Sequence, residues 1–214
     1  AAVLGGAGLI VTTSGASADC SGSGGVYTCS GTITDPLSKT NADPLSVTIL
    51  EGTTVVTSGD AFKLKSDAGI TFDNKTAGAT ITGADNGIEA INTGDYGGAL
   101  SITTTGTTTG TKEDGIFAEN RGTDLTINVT ELGAVIGGLH GIKAKHYGTG
   151  ALSITTTGTT TGNGTGTLYR DAGIYAINFE YGTSLTINAA TTTGGRNGIY
   201  AANYGTGALS ITTT

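Results

Sequence analysis

This sequence of 214 residues has no methionine, no tryptophan, only two prolines and only two cysteines. Each shortage excludes something. Without methionine the first residue is not an initiator, so a processed chain is expected. The two cysteines, Cys20 and Cys29, sit in "CSGSGGVYTC" with no other metal-type ligands nearby, so a zinc site is not expected. The glycines between them allow a tight turn, and a local structural disulfide made in an oxidising compartment is expected instead. On loop entropy alone it contributes about 2–3 kcal/mol. Charged residues are 13% of the chain, too few for a disordered acidic polymer. Their balance, 10 Lys and Arg against 17 Asp and Glu, gives a formal net charge of -7. Nucleic acid and anionic membranes attract basic surfaces, so neither is an expected partner. No apolar run reaches the roughly 18–20 residues of a membrane span.

What fills the chain is glycine, 38 residues of it, together with Thr and Ser. That composition points to β-structure with polar outer faces. The opening "AAVLGGAGLIV" is apolar and short, and Ala16-Ser17-Ala18 follows it. Residues 1–18 read either as the rear of a secretory signal peptide or as a strand that caps the fold.

Internal repetition is the dominant signal. "GIKAKHYGTGALSITTT" at Gly141–Thr157 returns as "GIYAANYGTGALSITTT" at Gly198–Thr214. One column of the repeat is Ile70, Ile88, Ile116, Ile142, Ile174 and Ile199. A second is Leu100, Leu125, Leu152, Leu185 and Leu209. Alternation within each phrase places Ile, a small residue two on and Asn four on along one strand face. Helical spacing is absent, and the glycines and β-branched residues oppose helix. A repeat of about 25 residues with two or three short strands predicts an all-β, right-handed parallel β-helix. Ile and Leu ladders would fill its core and an Asn ladder one corner, with "GTTTG" or "GAVIG" as the third strand. A second corner ladder is expected from Tyr96, Arg121, Tyr147, Tyr181 and Tyr204, each just before Gly. Residues 19–65 repeat poorly and are expected to form an N-terminal cap, with the disulfide loop, "LSVTIL" and "AFKLK" covering the end of coils that occupy 66–214. The last phrase lacks its third strand, so the coils are expected to be open at the C-terminal end, with more chain beyond Thr214.

The cysteine loop "ADCSGSGGVYTCSGT", followed by "GIYA", "GTSLTIN" and "TTTGG" phrases, resembles the passenger domain of a bacterial type V autotransporter over essentially the whole chain. It is most similar to the Bartonella angiogenic factor passenger family. The resemblance implies export through the periplasm and a C-terminal outer-membrane barrel in the precursor, then release or display outside the cell. It implies a virulence factor that acts as a ligand of a host cell-surface receptor, the vascular endothelial growth factor receptor. The alternative is an adhesin that binds host matrix or cell surface without signalling.

Chemistry is not expected. No Gly-x-Ser-x-Gly occurs, and His146 occupies an Asn-ladder position where a structural role fits best. Asp67, Asp85 and Glu113 each lie three before a ladder Ile. Stacked, they could hold calcium as a polysaccharide lyase does, but "DAG", "DNG" and "EDG" are also turn chemistry. The reading is therefore a non-enzyme with no cofactor and no metal. A binding role rests on the outward residues of the first strand. There Phe117, Tyr175, Ile177 and Tyr200 are expected beside Lys143 and Lys145. Exposed aromatics near cations are common at interfaces, although β-propensity alone also places aromatics on a sheet. His140, Lys143, Lys145 and His146 form the one basic cluster and are a candidate contact for heparan sulfate, unless Lys145 pairs with Glu119 on the neighbouring coil.

Overall fold

A computed structural model describes residues 19–214, except 77, 96, 131–132 and 166–170. The reading of residues 1–18 therefore lies outside the described residues, as does the placement of Tyr96.

A hairpin of β1 (Asp19–Ser23) and β2 (Val26–Ser30) comes first, then a short β3 (Thr32–Ile33). Strands then recur in coils. The first coil is β4 (Leu37–Asn41), β5 (Leu45–Ile49) and β6 (Thr54–Thr57), and the second is β7 (Phe62–Ser66), β8 (Ile70–Asn74) and β9 (Thr80–Gly83). The third is β10 (Ile88–Asn92), β11 (Leu100–Thr104) and β12 (Thr107–Gly110), and the fourth is β13 (Ile116–Asn120), β14 (Leu125–Val129) and β15 (Val135–Gly137). In the fifth, β16 (Ile142–His146) is followed by β17 (Leu152–Gly162), which runs the second and third strands together. The sixth is β18 (Ala172–Asn178) and β19 (Leu185–Gly194), and the last is β20 (Asn197–Asn203) and β21 (Leu209–Thr213). Apart from the β1–β2 hairpin, every pairing is parallel, and no helix occurs among the described residues. The chain is a parallel β-solenoid, and seven first strands stack in one sheet, β4-β7-β10-β13-β16-β18-β20.

The stacking follows from the alternation. Ile88, Ile116, Ile142 and Ile174 lie directly over one another and are fully buried. Ala90, Ala118, Ala144 and Ala176 form the small column beside them. Leu100, Leu125, Leu152 and Leu185 form the second ladder, with Ile102, Ile127, Ile154 and Ile187 alongside. The third strands end on a glycine ladder, Gly83, Gly110, Gly137, Gly162 and Gly194. Glycine is required there because the chain turns back hard against itself. A Cβ on Gly137 would stand 1.6 Å from the carbonyl oxygen of His140.

Two expectations change. Ile70 does not belong with Ile88: it pairs with Leu100 and with Leu45, in the second ladder. The position above Ile88 belongs to Phe62, with Leu64 and Ser66 in place of Ala and Asn. The short 18-residue gap between Ile70 and Ile88 was the sign of this, since every other step in the two columns runs from 24 to 33 residues. The regular coils also begin earlier than residue 66. "LSVTIL" and "AFKLK" contribute β5 and β7, which stack in register like later strands. The wording of the repeat fades there while the apolar alternation persists. The atypical part is β1–β3. The hairpin is closed by the Cys20–Cys29 disulfide, its β2 pairs with β5 and β3 pairs with β6, which buries Cys29 and Ile33 over the end of the core. At the other end Leu209 and Ile211 continue the second ladder beneath Leu185 and Ile187 and remain 46% exposed each.

Candidate binding site

The solenoid presents its outward residues in columns. On the first sheet these run Lys63, Glu89, Phe117, Lys143, Tyr175, Tyr200 and Lys65, Ile91, Glu119, Lys145, Ile177, Ala202. Thr71 and Asp73, on either side of Phe72 in β8, lie in the second ladder's sheet beside Ser101 and Thr103 and are not part of this face. Phe117, Lys143, Lys145 and Tyr200 are half-buried, with both lysine ammoniums over the Phe117 ring, at 5.4 and 5.9 Å from its centre. At the N-terminal end of the face Lys63 bridges Glu89 at 2.9 Å and Asp60 at 3.3 Å. The hydrogen bond to Glu89 raises the Lys63 pKa above that of an ordinary lysine. Burial raises the Glu89 carboxyl, and Lys63 only partly offsets it. Burial opposes charge on Asp60 as well, but hydrogen bonds from Asn86 and Lys63 outweigh it and hold that carboxyl low.

Tyr175 and Ile177 are not available as contact residues. They point away from the core yet are only 1% and 7% exposed. Tyr175 stacks nearly parallel on Tyr200 at 5.2 Å, and the His140 ring lies 5.3 Å away. With Ala172 and Ile177 it forms a second apolar cluster, against which Phe179, Tyr200 and Ala202 pack. Alternation gives the direction of a side chain but not what lies over it.

The basic cluster is largely tied down. His140 and His146 are buried, and His140 Nδ1 lies 2.6 Å from Asp114 Oδ1. Lys143 Nζ is 3.5 Å from the other oxygen of Asp114. Asp114 itself belongs to a polar relay along this corner. Asp60 accepts from the Asn86 backbone N–H, Asn86 from that of Asp114, and Asp114 from that of His140. Glu119 does lie opposite Lys145, but its ion pair, at 3.7 Å, is with Arg121. Asp85 and Glu113 sit at equivalent positions of neighbouring coils, the Glu113 backbone N–H donating to the Asp85 carbonyl at 3.3 Å, but Asp67 does not join them, because that place on the preceding coil belongs to Gly59. Asp67 follows β7 and accepts a hydrogen bond from Thr93, whereas Asp85 pairs with Lys112 at 3.1 Å and Glu113 accepts from Asn86. Among the described residues no group of three His, Cys, Asp or Glu is placed to hold a metal ion.

The opposite corner carries the asparagine ladder. Asn92 donates to Asn120, and Asn178 to Asn203, each at 2.7 Å, while the amides of Asn92, Asn120 and Asn178 also donate to the turn carbonyls of Gly98, Asp124 and Thr183 respectively. His146 takes the place of an Asn, 3.4 Å from the Asn120 amide, and burial lowers its pKa below the usual imidazole value.

One residue further on, side chains stack: Arg121 over Tyr147 at 5.2 Å, Tyr147 on Phe179 at 4.0 Å, and Phe179 near Tyr204 at 6.4 Å. Phe179, not Tyr181, holds the ladder position, because Phe179 directly follows the Asn column. Tyr181 is displaced outward and is 70% exposed. Burial, and to a lesser degree the charge of Glu119, raises the pKa of the Tyr147 hydroxyl.

Sequence reading missed a groove here. Asp95, Arg121, Tyr147, Gly148, Thr149, Phe179, Glu180 and Tyr181 line a cavity of about 480 Å³. Corner lengths carry its signal. Seven residues separate Asn92 from Leu100 and six separate Asn178 from Leu185, but only four and five lie in the two corners between. Two long corners therefore flank two short ones. Asp95 stands on one wall, Phe179, Glu180 and Tyr181 on the other, and Arg121 and Tyr147–Thr149 form the floor.

No known protein family matches the sequence, and comparison with curated proteins and with solved structures returns no match.

Proposed function

We propose that this chain is the passenger of a type V autotransporter, exported through the periplasm with a C-terminal outer-membrane barrel in its precursor. Outside the cell it serves as a ligand for a host cell-surface receptor. By resemblance that receptor is the endothelial growth factor receptor, and the effect is angiogenic. The observation that supports a contact face is the segregation of side chains. The outward columns of β11, β12, β14, β17 and β19 are mostly Thr, Ser and Asn, whereas Lys, Glu, Phe and Tyr collect on the first sheet. A rigid sheet that places Phe117, Lys145 and Tyr200 in fixed register offers the aromatic and cationic anchors protein interfaces use. In this reading the chain binds and performs no reaction, and heparan sulfate is a secondary, salt-sensitive contact at Lys143 and Lys145.

The purified chain applied to endothelial cells tests this. Receptor phosphorylation is the expected result, reduced by Lys145→Glu combined with Tyr200→Ala. Lys143 and Tyr175 are unsuitable for the test, since one holds Asp114 and the other is core. A folded chain that leaves the receptor unphosphorylated overturns the signalling reading. The second reading, an adhesin, is favoured by the open groove at the asparagine corner. Retention on host matrix without phosphorylation would select it.

A further inference from the structure

We infer that the groove between Asp95 and the corner at 179–184 is a binding site for uncharged sugar residues of a glycan. The site is separate from the outer sheet face and stands or falls independently of the receptor reading. Its shape comes from corner length. The walls lie three coils apart, about 14 Å at the ~4.8 Å strand spacing. The volume, about 480 Å³, is in the range of small-molecule sites.

The lining selects the ligand. Asp95 and Glu180 supply carboxylates, which accept hydrogen bonds from hydroxyl groups. Arg121 supplies donors of the opposite kind, and Tyr147, Thr149 and Tyr181 supply hydroxyls that both donate and accept. A ligand dense in hydroxyl groups satisfies such a mixed set. Charged ligands do not. A sulfated or otherwise anionic chain meets the two carboxylates, and a cationic side chain meets Arg121. An aromatic cage for a cation also needs free ring faces. Here the Tyr147 ring is sandwiched between Arg121 and Phe179. The exposed ring is Tyr181, a flat apolar surface for the C–H face of a pyranose. The floor is preorganised, because Arg121 is held by Glu119 and by Tyr147, and Tyr147 and Phe179 stack within 12° of parallel.

The test presents the chain to an array of neutral hexose and N-acetylhexosamine oligosaccharides, with heparin and an oligolysine peptide as charged probes. Retention on at least one neutral oligosaccharide is expected, little changed by salt. Tyr181→Ala and Glu180→Gln alter exposed positions and leave the coils intact. Each is expected to weaken that binding by about tenfold or more. Lys145→Glu, on the outer face, is expected to leave it unchanged. Binding to no neutral probe, binding only to heparin or only to oligolysine, or neutral binding indifferent to Tyr181→Ala and Glu180→Gln each overturns the assignment.

Discussion

His146 shows how one buried residue can carry a pH dependence. It occupies an asparagine position, and burial disfavours its charged form. The unfolded chain takes up a proton near the ordinary imidazole pKa of about 6.5, and the folded chain resists it. This contribution to stability is full above that pH and declines as pH falls through it. His146→Asn restores the ladder chemistry of Asn120 and Asn178 and is expected to flatten the stability–pH curve between about pH 7.5 and 5. Urea denaturation at several pH values measures this, and an unchanged slope would contradict it. Tyr175 makes the complementary point. Its burial against His140 and Tyr200 means that Tyr175→Ala is expected to cost about 3 kcal/mol or more in denaturant melts. A cost near zero would show that the residue is solvent-exposed after all.

At the scale of elements, the turns constrain the sequence more tightly than the strands do. From β9 onward each third strand ends on a glycine whose missing side chain lets the next corner pass. Gly137→Ala places a methyl group on the His140 carbonyl and is expected to destabilise the solenoid by about 2–3 kcal/mol. Thermal unfolding followed by circular dichroism would register it. The β1–β2 hairpin depends on a different device. Cys20 lies directly opposite Cys29, and the bridge closes the hairpin that covers the first coils. Reduction, or Cys20→Ser with Cys29→Ser, removes about 2–3 kcal/mol by loop entropy. Loss of amide protection is expected in β1 and β2 first, with β10 to β16 unaffected, since each coil contacts only its neighbours.

The whole molecule is a one-dimensional stack, and its stability is graded along the axis. Both neighbours cover β10, β13 and β16, whose inward residues are fully buried. All five residues of β21 are exposed, and β20 is half-buried throughout. Hydrogen exchange is expected to be fastest in β21, intermediate in β20 and slowest in β10 to β16. Uniform protection would mean that the stack opens only as a unit. The same geometry sorts the surface. Outward residues of a solenoid become columns, so one variable position per coil becomes a stripe, and an added residue at a corner becomes a wall.

The sequence alone determined the parallel stack, the Ile and Leu ladders and the asparagine corner, because each rests on alternation recurring coil after coil, and the disulfide-closed start, because the only two cysteines flank a short glycine-rich turn. It did not determine which coil Ile70 joins, since apolar alternation is the same in both ladders and only the pairing with Leu45 and Leu100 selects one. Nor did it separate the half-buried Phe117 and Tyr200 from the buried Tyr175 and Ile177, all four of which alternate outward. Exposure depends on what packs over a face, and that is a tertiary property. The groove belongs to the same class. Its walls come from two corners three coils apart, and Asp95 and Glu180 share one cavity only once the coils are stacked in register.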